Sequence, residues 1–311
     1  MLFKVKPDNS LSFYEPVNLD AEKVIQHLIE NHLKSLFGYQ FLATEFAVDT
    51  FGNGVHKNYR FDSVAFDPEN KAFIIIEYKN VKNSSLMDQG FAYLAALKQR
   101  KESFVLLYNQ KNNVNLGLDA FDWTQSRILF IAPSFTDFQL DSTSYKGLPF
   151  FLYKFQAYKD GTIEMDQVLN QITEPLDLPD ETSEIAEVKK EVVVYTEDDQ
   201  IKKLSENLQD LYGEFKEAVA ALGDFQIVAN KFYIAFKRNG SNFCDVELYK
   251  SKLCIYINLS KGELKDEYHL AEDCSLVGHH ANGDYRVAVT DNSMIKYIAN
   301  VLVKQAYLKI K

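Results

Sequence analysis

Residues 59–78 carry the clearest pattern of hydrophobic and polar positions in the chain. Hydrophobic and polar side chains alternate over 59–66, which places Arg60, Asp62 and Val64 on one predicted face and Phe61 on the other. Residues 67–70 (DPEN) form a turn signature, and residues 72–78 form an almost continuous apolar run. Such a run is typical of a strand that is buried on both faces. The pattern therefore predicts a β-hairpin whose second strand ends at 77–79 (EYK).

The N-terminal half predicts an α/β domain around this hairpin. Apolar residues recur at helical spacing before Gly38 and again over residues 86–98, so both stretches are predicted helices. Apolar runs at 41–48, 104–108, 128–132 and 148–155 are predicted strands. A strand–helix–strand order implies a parallel crossover, and the sum is a three-layer core with a mixed sheet between helices.

The C-terminal third predicts a smaller α+β domain with an antiparallel sheet. A long amphipathic helix over 204–222 precedes predicted strands at 225–229, 232–237, 242–249, 253–259 and 283–289, and a helix over 293–307 closes the chain. The intervening segment is acidic, contains two prolines and has few aromatic residues, which is typical of a linker. The predicted organisation is therefore domain 1–172, linker 173–199 and domain 200–311.

Charge is distributed unevenly along the 311 residues, which carry a net charge of −10. Residues 161–200 hold 12 acidic and two basic side chains, so both flanking domains are nearly neutral. The balance of charge shows no broad basic face. A nearly neutral domain can still bind DNA through a local patch and a metal ion, and such binding would be modest in affinity and sensitive to salt.

The remaining composition predicts a cytoplasmic protein. The three cysteines, Cys244, Cys254 and Cys274, form no CxxC pair and cannot all join in disulfides, so we expect free and mostly buried thiols. The N-terminus has no apolar signal core, and no apolar run approaches the ~20 residues of a membrane span.

The end of the hairpin carries the candidate chemistry. Glu77 and Lys79 are two residues apart on one strand, so their side chains project to the same side, roughly 7 Å apart. Asp62 reaches the same place if the hairpin pairs as its turn indicates. Two carboxylates suit Mg²⁺ or Mn²⁺. A nearby ammonium group can orient water or neutralise developing charge.

These residues resemble the PD-(D/E)xK nuclease superfamily over roughly residues 15–160. Asp62 is followed after 14 residues by Glu77-Tyr78-Lys79, with Phe61 in place of the proline of the motif. Gln89 and Tyr93 fit the QxxxY pattern of RecB-like members and share one helix face. The resemblance implies a restriction-endonuclease-like fold and metal-dependent cleavage of nucleic acid, with DNA favoured.

The resemblance also implies individual roles. Asp62, Glu77 and the carbonyl of Tyr78 are predicted to bind Mg²⁺ or Mn²⁺, helped by Glu30 of the first helix. Lys79 is predicted to position the attacking water, and Gln89 to orient Lys79 or that water. The predicted substrate-binding residues are Arg60, Lys82, Tyr93 and Lys98. Lys98 lies in a small basic cluster, although the end of a helix attracts cations in any case.

Alternatives remain open at this point. An exposed strand end explains a Glu-x-Lys pair equally well, and fold does not imply function. A catalytically inactive nuclease-fold module that binds nucleic acid or protein is the rival prediction. A third option is self-association into a homodimer through the C-terminal domain, which resembles a domain of unknown activity found behind predicted nucleases. Glu45 is either an exposed edge residue or a carboxylate that faces the site or DNA.

Overall fold

The computed structural model of the chain describes residues 2–19, 21–52, 55–80, 86–143, 148–168 and 193–310. These divide into two compact units: Met1–Leu33 with Tyr39–Val194, and Lys34–Gly38 with Tyr195–Lys311. Most of the predicted linker 173–199 lies outside the described residues. The last part of that linker begins a short helix, α5 (Glu197–Ile201), which Thr196 caps.

The first unit contains a mixed sheet and four described helices. The helices are α1 (Glu22–Phe37), α2 (Leu86–Gln99), α3 (Lys101–Asn112) and α4 (Asp137–Thr143). The strands are β1 (Phe3–Val5), β2 (Leu11–Phe13), β3 (Pro16–Val17), β4 (Gln40–Gly52), β5 (Val55–Asp67), β6 (Ala72–Tyr78), β7 (Arg127–Ala132), β8 (Phe150–Tyr158) and β9 (Ile163–Gln167).

The sheet of this unit has the strand order β3-β8-β7-β6-β5-β4, with β9 beside β8, among the described residues. The predicted hairpin is present as the antiparallel pair β5/β6, and β6, β7 and β8 are mutually parallel. The chain passes from β6 through α2 and α3 to β7, so the predicted parallel crossover is confirmed. Together these elements confirm a mixed α/β fold.

The prediction of a strand at 104–108 is wrong, because these residues lie within helix α3. Phe104 and Val105 are buried, whereas Leu106 is exposed. A short apolar run of five residues fits one side of a helix as well as a strand, and periodicity cannot separate the two. The helical hairpin α2–α3 thus fills the crossover.

The two helix layers contact opposite faces of the sheet at the end of β6. The side chain of Gln89 in α2 donates to Glu77, whereas the hydroxyl of Ser63, which donates to Glu30 in α1, also contacts the hydroxyl of Tyr78. Consecutive strand residues point to opposite faces, so Glu77 faces α2 and Tyr78 faces α1. The main core of the unit forms on the α2–α3 side, where Phe61, Phe73 and Phe104 meet.

The second unit is built on an antiparallel sheet of six described strands in the order β10-β11-β12-β13-β15-β14. These are β10 (Gln226–Ala229), β11 (Ile234–Arg238), β12 (Ser241–Leu248), β13 (Leu253–Ile257), β14 (Glu272–Asp273) and β15 (Tyr285–Val289). Helix α6 (Glu206–Ala220) and a C-terminal helical segment pack on one face. That segment runs through Ile295–Tyr297, a π-helical stretch Ile298–Val303 and Lys304–Lys309. The antiparallel α+β prediction is confirmed, with one more short strand, β14.

Two further predictions concern the thiols and the membrane. All three cysteines are free and buried, as expected. None of the described helices combines the length and the apolar composition that a membrane crossing requires.

Candidate active site

The carboxyl groups of Asp62 and Glu77 meet where β5 and β6 end their pairing. Ser63 pairs with Ile76 in the β5/β6 register, so Asp62 and Glu77 come next on their strands. Asp62 Oδ2 accepts a hydrogen bond from the main-chain N–H of Tyr78 at 3.0 Å. The two carboxyl groups are close enough for the charge of Asp62 to raise the pKa of Glu77. The structure therefore brings together the two acids that the sequence analysis selected.

The alternation predicted for β5 breaks at Asp62. Phe61 and Val64 both belong to the core beneath α2, which strict alternation forbids. Glu45, which faces this point from β4, has a positive φ of 49°. The carbonyl of Asp62 accepts from the side chain of Gln26 at 2.7 Å. This irregularity buries Phe61 in the core while the Asp62 carboxylate remains beside Glu77.

Glu77 is the most buried acid of the group, with 2% of its surface exposed. Its Oε1 accepts from Lys79 Nζ and from Gln89 Nε2, both at 2.7 Å. Its Oε2 is buried and has no hydrogen-bond partner among the described residues. Burial, followed by the charge of Asp62, raises the pKa of Glu77 to about 7 despite the opposing effect of Lys79. The second oxygen therefore needs a proton or a cation.

The pKa values of Asp62 and Lys79, the two charged neighbours of Glu77, are also shifted by burial and by neighbouring charges. Burial raises the pKa of Asp62, and the hydrogen bond from Tyr78 and the charge of Lys79 offset only part of this effect. Burial alone would lower the pKa of Lys79, but the hydrogen bond and charge of Glu77 outweigh it, so the pKa of Lys79 is raised. Lys79 thus remains an ammonium group next to two carboxyl groups that compete for protons.

Gln89 and Tyr93 are held by the predicted helix spacing. Gln89 Nε2 lies 2.7 Å from the hydroxyl of Tyr93, which donates to the carbonyl of Arg60 at 3.0 Å. Burial raises the pKa of Tyr93, so its hydroxyl stays protonated. Gly90 lets α2 approach the sheet, because a Cβ there would lie 2.9 Å from the ring of Phe130. The helix therefore positions the Gln89 amide directly on Glu77.

Arg60 lies at the rim of this group. Its guanidinium forms an ion pair with Glu45, which also pairs with Lys23 at 3.3 Å. The side chain of Arg60 is mostly exposed. Glu45 is therefore close to the site, bound to the cation that was predicted to meet the substrate.

Two other predicted residues are not brought to Asp62 and Glu77. Glu30 accepts from Ser63 Oγ at 2.6 Å and from Gln26 at 3.0 Å, on the face of the sheet that Tyr78 occupies. Lys98 lies in the last turn of α2, nine residues beyond Gln89, or roughly 14 Å along the helix axis. Lys82 lies outside the described residues.

Glu22 is an acid near the site that the sequence analysis did not select. Its Oε1 accepts from the main-chain N–H of Asn80 at 3.2 Å, and its charge acts on both Asp62 and Lys79. Glu22 and Glu30 share α1, but eight residues separate them by about 12 Å along the axis. The position of Glu22 in the first turn of α1 was the available indication, because this end of the helix lies next to the end of β6.

The side chains present fit a hard divalent cation bound through few protein ligands. In the described part of the chain, no three or more side chains of His, Cys, Asp or Glu group as a metal site. Mg²⁺ is commonly held by one or two carboxylates with waters and substrate phosphate as its other ligands. Asp62 and Glu77 supply two carboxylates, and the unpartnered Glu77 Oε2 is an oxygen that such a cation would satisfy.

Comparison with known proteins places the chain in a family. Residues 197–309 match the family model described as Domain of unknown function (DUF5655). No solved structure matches the chain. A Haemophilus influenzae protein described as "Uncharacterized protein" is 38% identical over 299 residues, covering 95% of this chain and 96% of that relative. At this identity and coverage, the chain belongs to the same family as the Haemophilus influenzae protein.

Proposed function

We propose that this protein is a metal-dependent nuclease that hydrolyses phosphodiester bonds of nucleic acid, with DNA as the favoured substrate. The observation that carries the proposal is the half-buried Asp62 beside the buried Glu77, whose Oε2 has no partner among the described residues and whose Oε1 contacts Lys79. The proposal extends to a restriction-endonuclease-like core of the PD-(D/E)xK type for the first unit, and to action in the cytoplasm.

The proposed roles follow from the contacts. Asp62 and Glu77 bind Mg²⁺ or Mn²⁺, which supplies Lewis-acid chemistry by neutralising phosphate charge and making nearby water more acidic. Lys79 remains charged and lies 2.7 Å from Glu77, so it orients the attacking water and stabilises negative charge that develops on the phosphate. Gln89 fixes the rotamer of Glu77, and the Tyr93 hydroxyl fixes the amide of Gln89.

A cleavage assay with matched variants tests the proposal. Labelled single-stranded and double-stranded DNA and RNA are incubated with the protein in Mg²⁺, Mn²⁺ or EDTA. We expect cleavage only with metal, and a loss of at least about 100-fold in Asp62→Asn and Lys79→Ala, the scale of one positioned charged group. Lys159→Ala is the control, since Lys159 pairs with Glu15 at the surface. Metal-dependent cleavage that persists in Asp62→Asn would contradict the assignment.

Calorimetry with Mg²⁺ and Mn²⁺ separates the rival function. An inactive binding module predicts nucleic-acid binding with no heat of metal binding and no cleavage. The nuclease predicts metal binding that Asp62→Asn weakens, because one of two carboxylates is then lost.

A further inference from the structure

The long strands β4 and β5 extend past the site as a two-stranded ribbon. Each strand has 13 residues. However, β6 pairs only with Ser63–Asp67 of β5. Beyond this point, among the described strands, β4 and β5 pair only with each other, from Phe46 opposite Phe61 to Gly52 opposite Val55. The ribbon therefore starts beside Asp62 and leads away from it.

The two faces of the ribbon differ. One face packs on the helices: Val48, Thr50 and Phe61 are buried, and the ring of Tyr59 lies 6.3 Å from that of Tyr93. The opposite face carries exposed polar and aromatic side chains. We call this exposed row the ribbon track, which consists of Asp49, Phe51, His56, Asn58 and Arg60.

Contacts within the track hold its side chains in a row. Asp49 Oδ1 accepts from Asn58 at 2.8 Å and lies 3.1 Å from His56 Nε2. The ring of His56 lies 5.0 Å from that of Phe51, tilted by 49°. Phe51 is 71% exposed, so most of its ring is available to a partner. The track thus ends in an aromatic pair, and Arg60 at its other end adjoins the site.

The dimensions of the track match a nucleic-acid strand. Side chains on one face of a β-strand repeat every ~6.6 Å, and stacked nucleotides repeat every ~3.4 Å, so each step along the track spans about two nucleotides. Six residues separate Asp62 from His56, or roughly 20 Å, which corresponds to about six nucleotides. Guanidinium, amide and imidazole groups can bind phosphate or base edges, and an exposed phenyl ring can stack on a base.

We propose that the ribbon track binds single-stranded nucleic acid, with Phe51 and His56 stacking on a base about six nucleotides from the phosphate at Asp62 and Glu77. This inference rests on the proposed function and adds the strandedness of its substrate. A flat ring needs an unpaired base, because in a duplex both faces of each base are already stacked on neighbouring pairs. Asp49 opposes phosphate by charge, and its Oδ1 accepts a hydrogen bond from Asn58 and lies 3.1 Å from His56 Nε2.

Binding in EDTA tests the track without requiring cleavage. Fluorescence anisotropy is measured on fluorescein-labelled oligo-dT of 3, 6, 9 and 12 nucleotides and on a blunt 12-base-pair duplex. We expect Phe51→Ala to weaken binding of the 9- and 12-mers at least about tenfold, the scale of one lost stacking contact, and to leave the 3-mer unchanged. Phe138→Ala is the matched control, since Phe138 is 67% exposed on α4.

A second variant provides a direct reading of stacking. Phe51→Trp should retain affinity, and its indole fluorescence should fall when oligo-dT binds. The wild-type protein, whose one tryptophan is Trp123, is titrated in the same way as the reference. The proposal is overturned if Phe51→Ala binds every length as the wild type does, if Phe138→Ala loses as much, or if only the duplex shows dependence on Phe51. A protein partner at this surface predicts the first of these results.

The two proposals fail separately. If binding depends on Phe51 but no metal-dependent cleavage is found, the ribbon track proposal stands and the nuclease proposal is wrong. If cleavage depends on Asp62 but Phe51→Ala does not change the binding of oligonucleotides of 9 or 12 nucleotides, the nuclease proposal stands and the ribbon track proposal is wrong.

Discussion

At the scale of single residues, Glu77 combines deep burial with a carboxyl group that lacks a full set of partners. The pKa of Glu77 is about 7, against an ordinary value of 4.5, so the folded protein stabilises its protonated carboxyl group relative to the carboxylate. When folding raises the pKa of a group, the protonated group stabilises the folded state. This stabilisation is complete below the pKa of the unfolded state, and it is lost as the pH rises through the pKa of the folded state. The site is therefore least stable, without metal, at the pH where both carboxylates can bind a cation.

Glu77→Gln is expected to stabilise the metal-free protein at pH 8 by about 1–3 kcal/mol and to change stability little at pH 4.5. The amide removes the charge whose burial costs most above pH 7, and a shift of one pKa unit corresponds to ~1.4 kcal/mol. Thermal unfolding in EDTA at both values of pH measures the effect. Equal gains at both values would show that the ionisation of Glu77 is not the cause. Mg²⁺ should stabilise the wild type but not the variant.

Glu45→Gln is expected to tighten binding of nucleic acid several-fold. The Glu45 carboxylate pairs with both Arg60 and Lys23, so it competes with phosphate for these cations. Loss of its charge should also steepen the dependence of log affinity on log salt by about one. Anisotropy titrations in EDTA at several salt concentrations measure both. Arg60→Ala serves as the opposite change and should weaken binding. A looser complex for Glu45→Gln would mean that Glu45 positions Arg60 rather than masks it.

The residues on β6 and α2 could be predicted because both elements are regular. Glu77 and Lys79 at spacing two, and Gln89 and Tyr93 at spacing four, lie where periodicity places them. Glu22 could not be ranked above Glu30, because both lie on α1 and only the position of the helix end relative to β6 distinguishes them. The break in alternation at Asp62 also has no mark in the sequence, and the positive φ of Glu45 opposite it, in β4, is visible only in the structure.

At the scale of elements, α2 approaches the sheet because of Gly90. Gly90→Ala would place a Cβ 2.9 Å from Phe130 and 3.0 Å from Phe150, so α2 must shift or the rings must move. Such overpacking costs about 1–3 kcal/mol, which outweighs the ~1 kcal/mol gain in helix propensity. We expect net destabilisation and reduced activity, because Gln89 is the adjacent residue.

Gly213→Ala is the matched control for Gly90→Ala. Gly213 lies in α6, where an added Cβ would meet no atom within 4 Å. The same substitution should therefore stabilise the protein by up to ~1 kcal/mol. Denaturant unfolding of the two variants provides the comparison. Stabilisation by both would show that α2 tolerates a shift away from β7 and β8 without loss.

Most elements were predictable where the hydrophobic period was long enough to be unambiguous. The helix at 204–222 and the strands of the second unit repeat their pattern over many residues, and the structure has them within a few residues of the predicted ends. The strand prediction for residues 104–108 was wrong because five apolar residues span less than two helical turns, which is too short for the hydrophobic period to separate a helix from a strand. The chain returns after Arg100 as a second helix, and this depends on packing against the aromatic core rather than on local propensity.

At the scale of the whole molecule, each unit has a hydrophobic core of its own. The core of the second unit consists of residues between Leu208 and Tyr307, with partly buried neighbours from Ile201 to Ile310. Domains that bury their own core fold as units. The uneven charge indicated this division in the sequence, because 12 acidic residues with two basic residues cannot supply a packed core between the two domains.

The fragment 195–311 is therefore expected to fold without the rest of the chain. It contains the sheet β10–β15, α6 and the C-terminal helical segment, which supply most of the main hydrophobic core of that unit, and it lacks only Lys34–Gly38 of the unit. Circular dichroism should show mixed helix and sheet, with one cooperative thermal transition. Phe215→Ala removes a fully buried ring and should cost about 3–5 kcal/mol in the fragment and in the full chain alike. If the fragment melts without a cooperative transition, residues 195–311 need the first unit in order to fold, and the prediction is wrong.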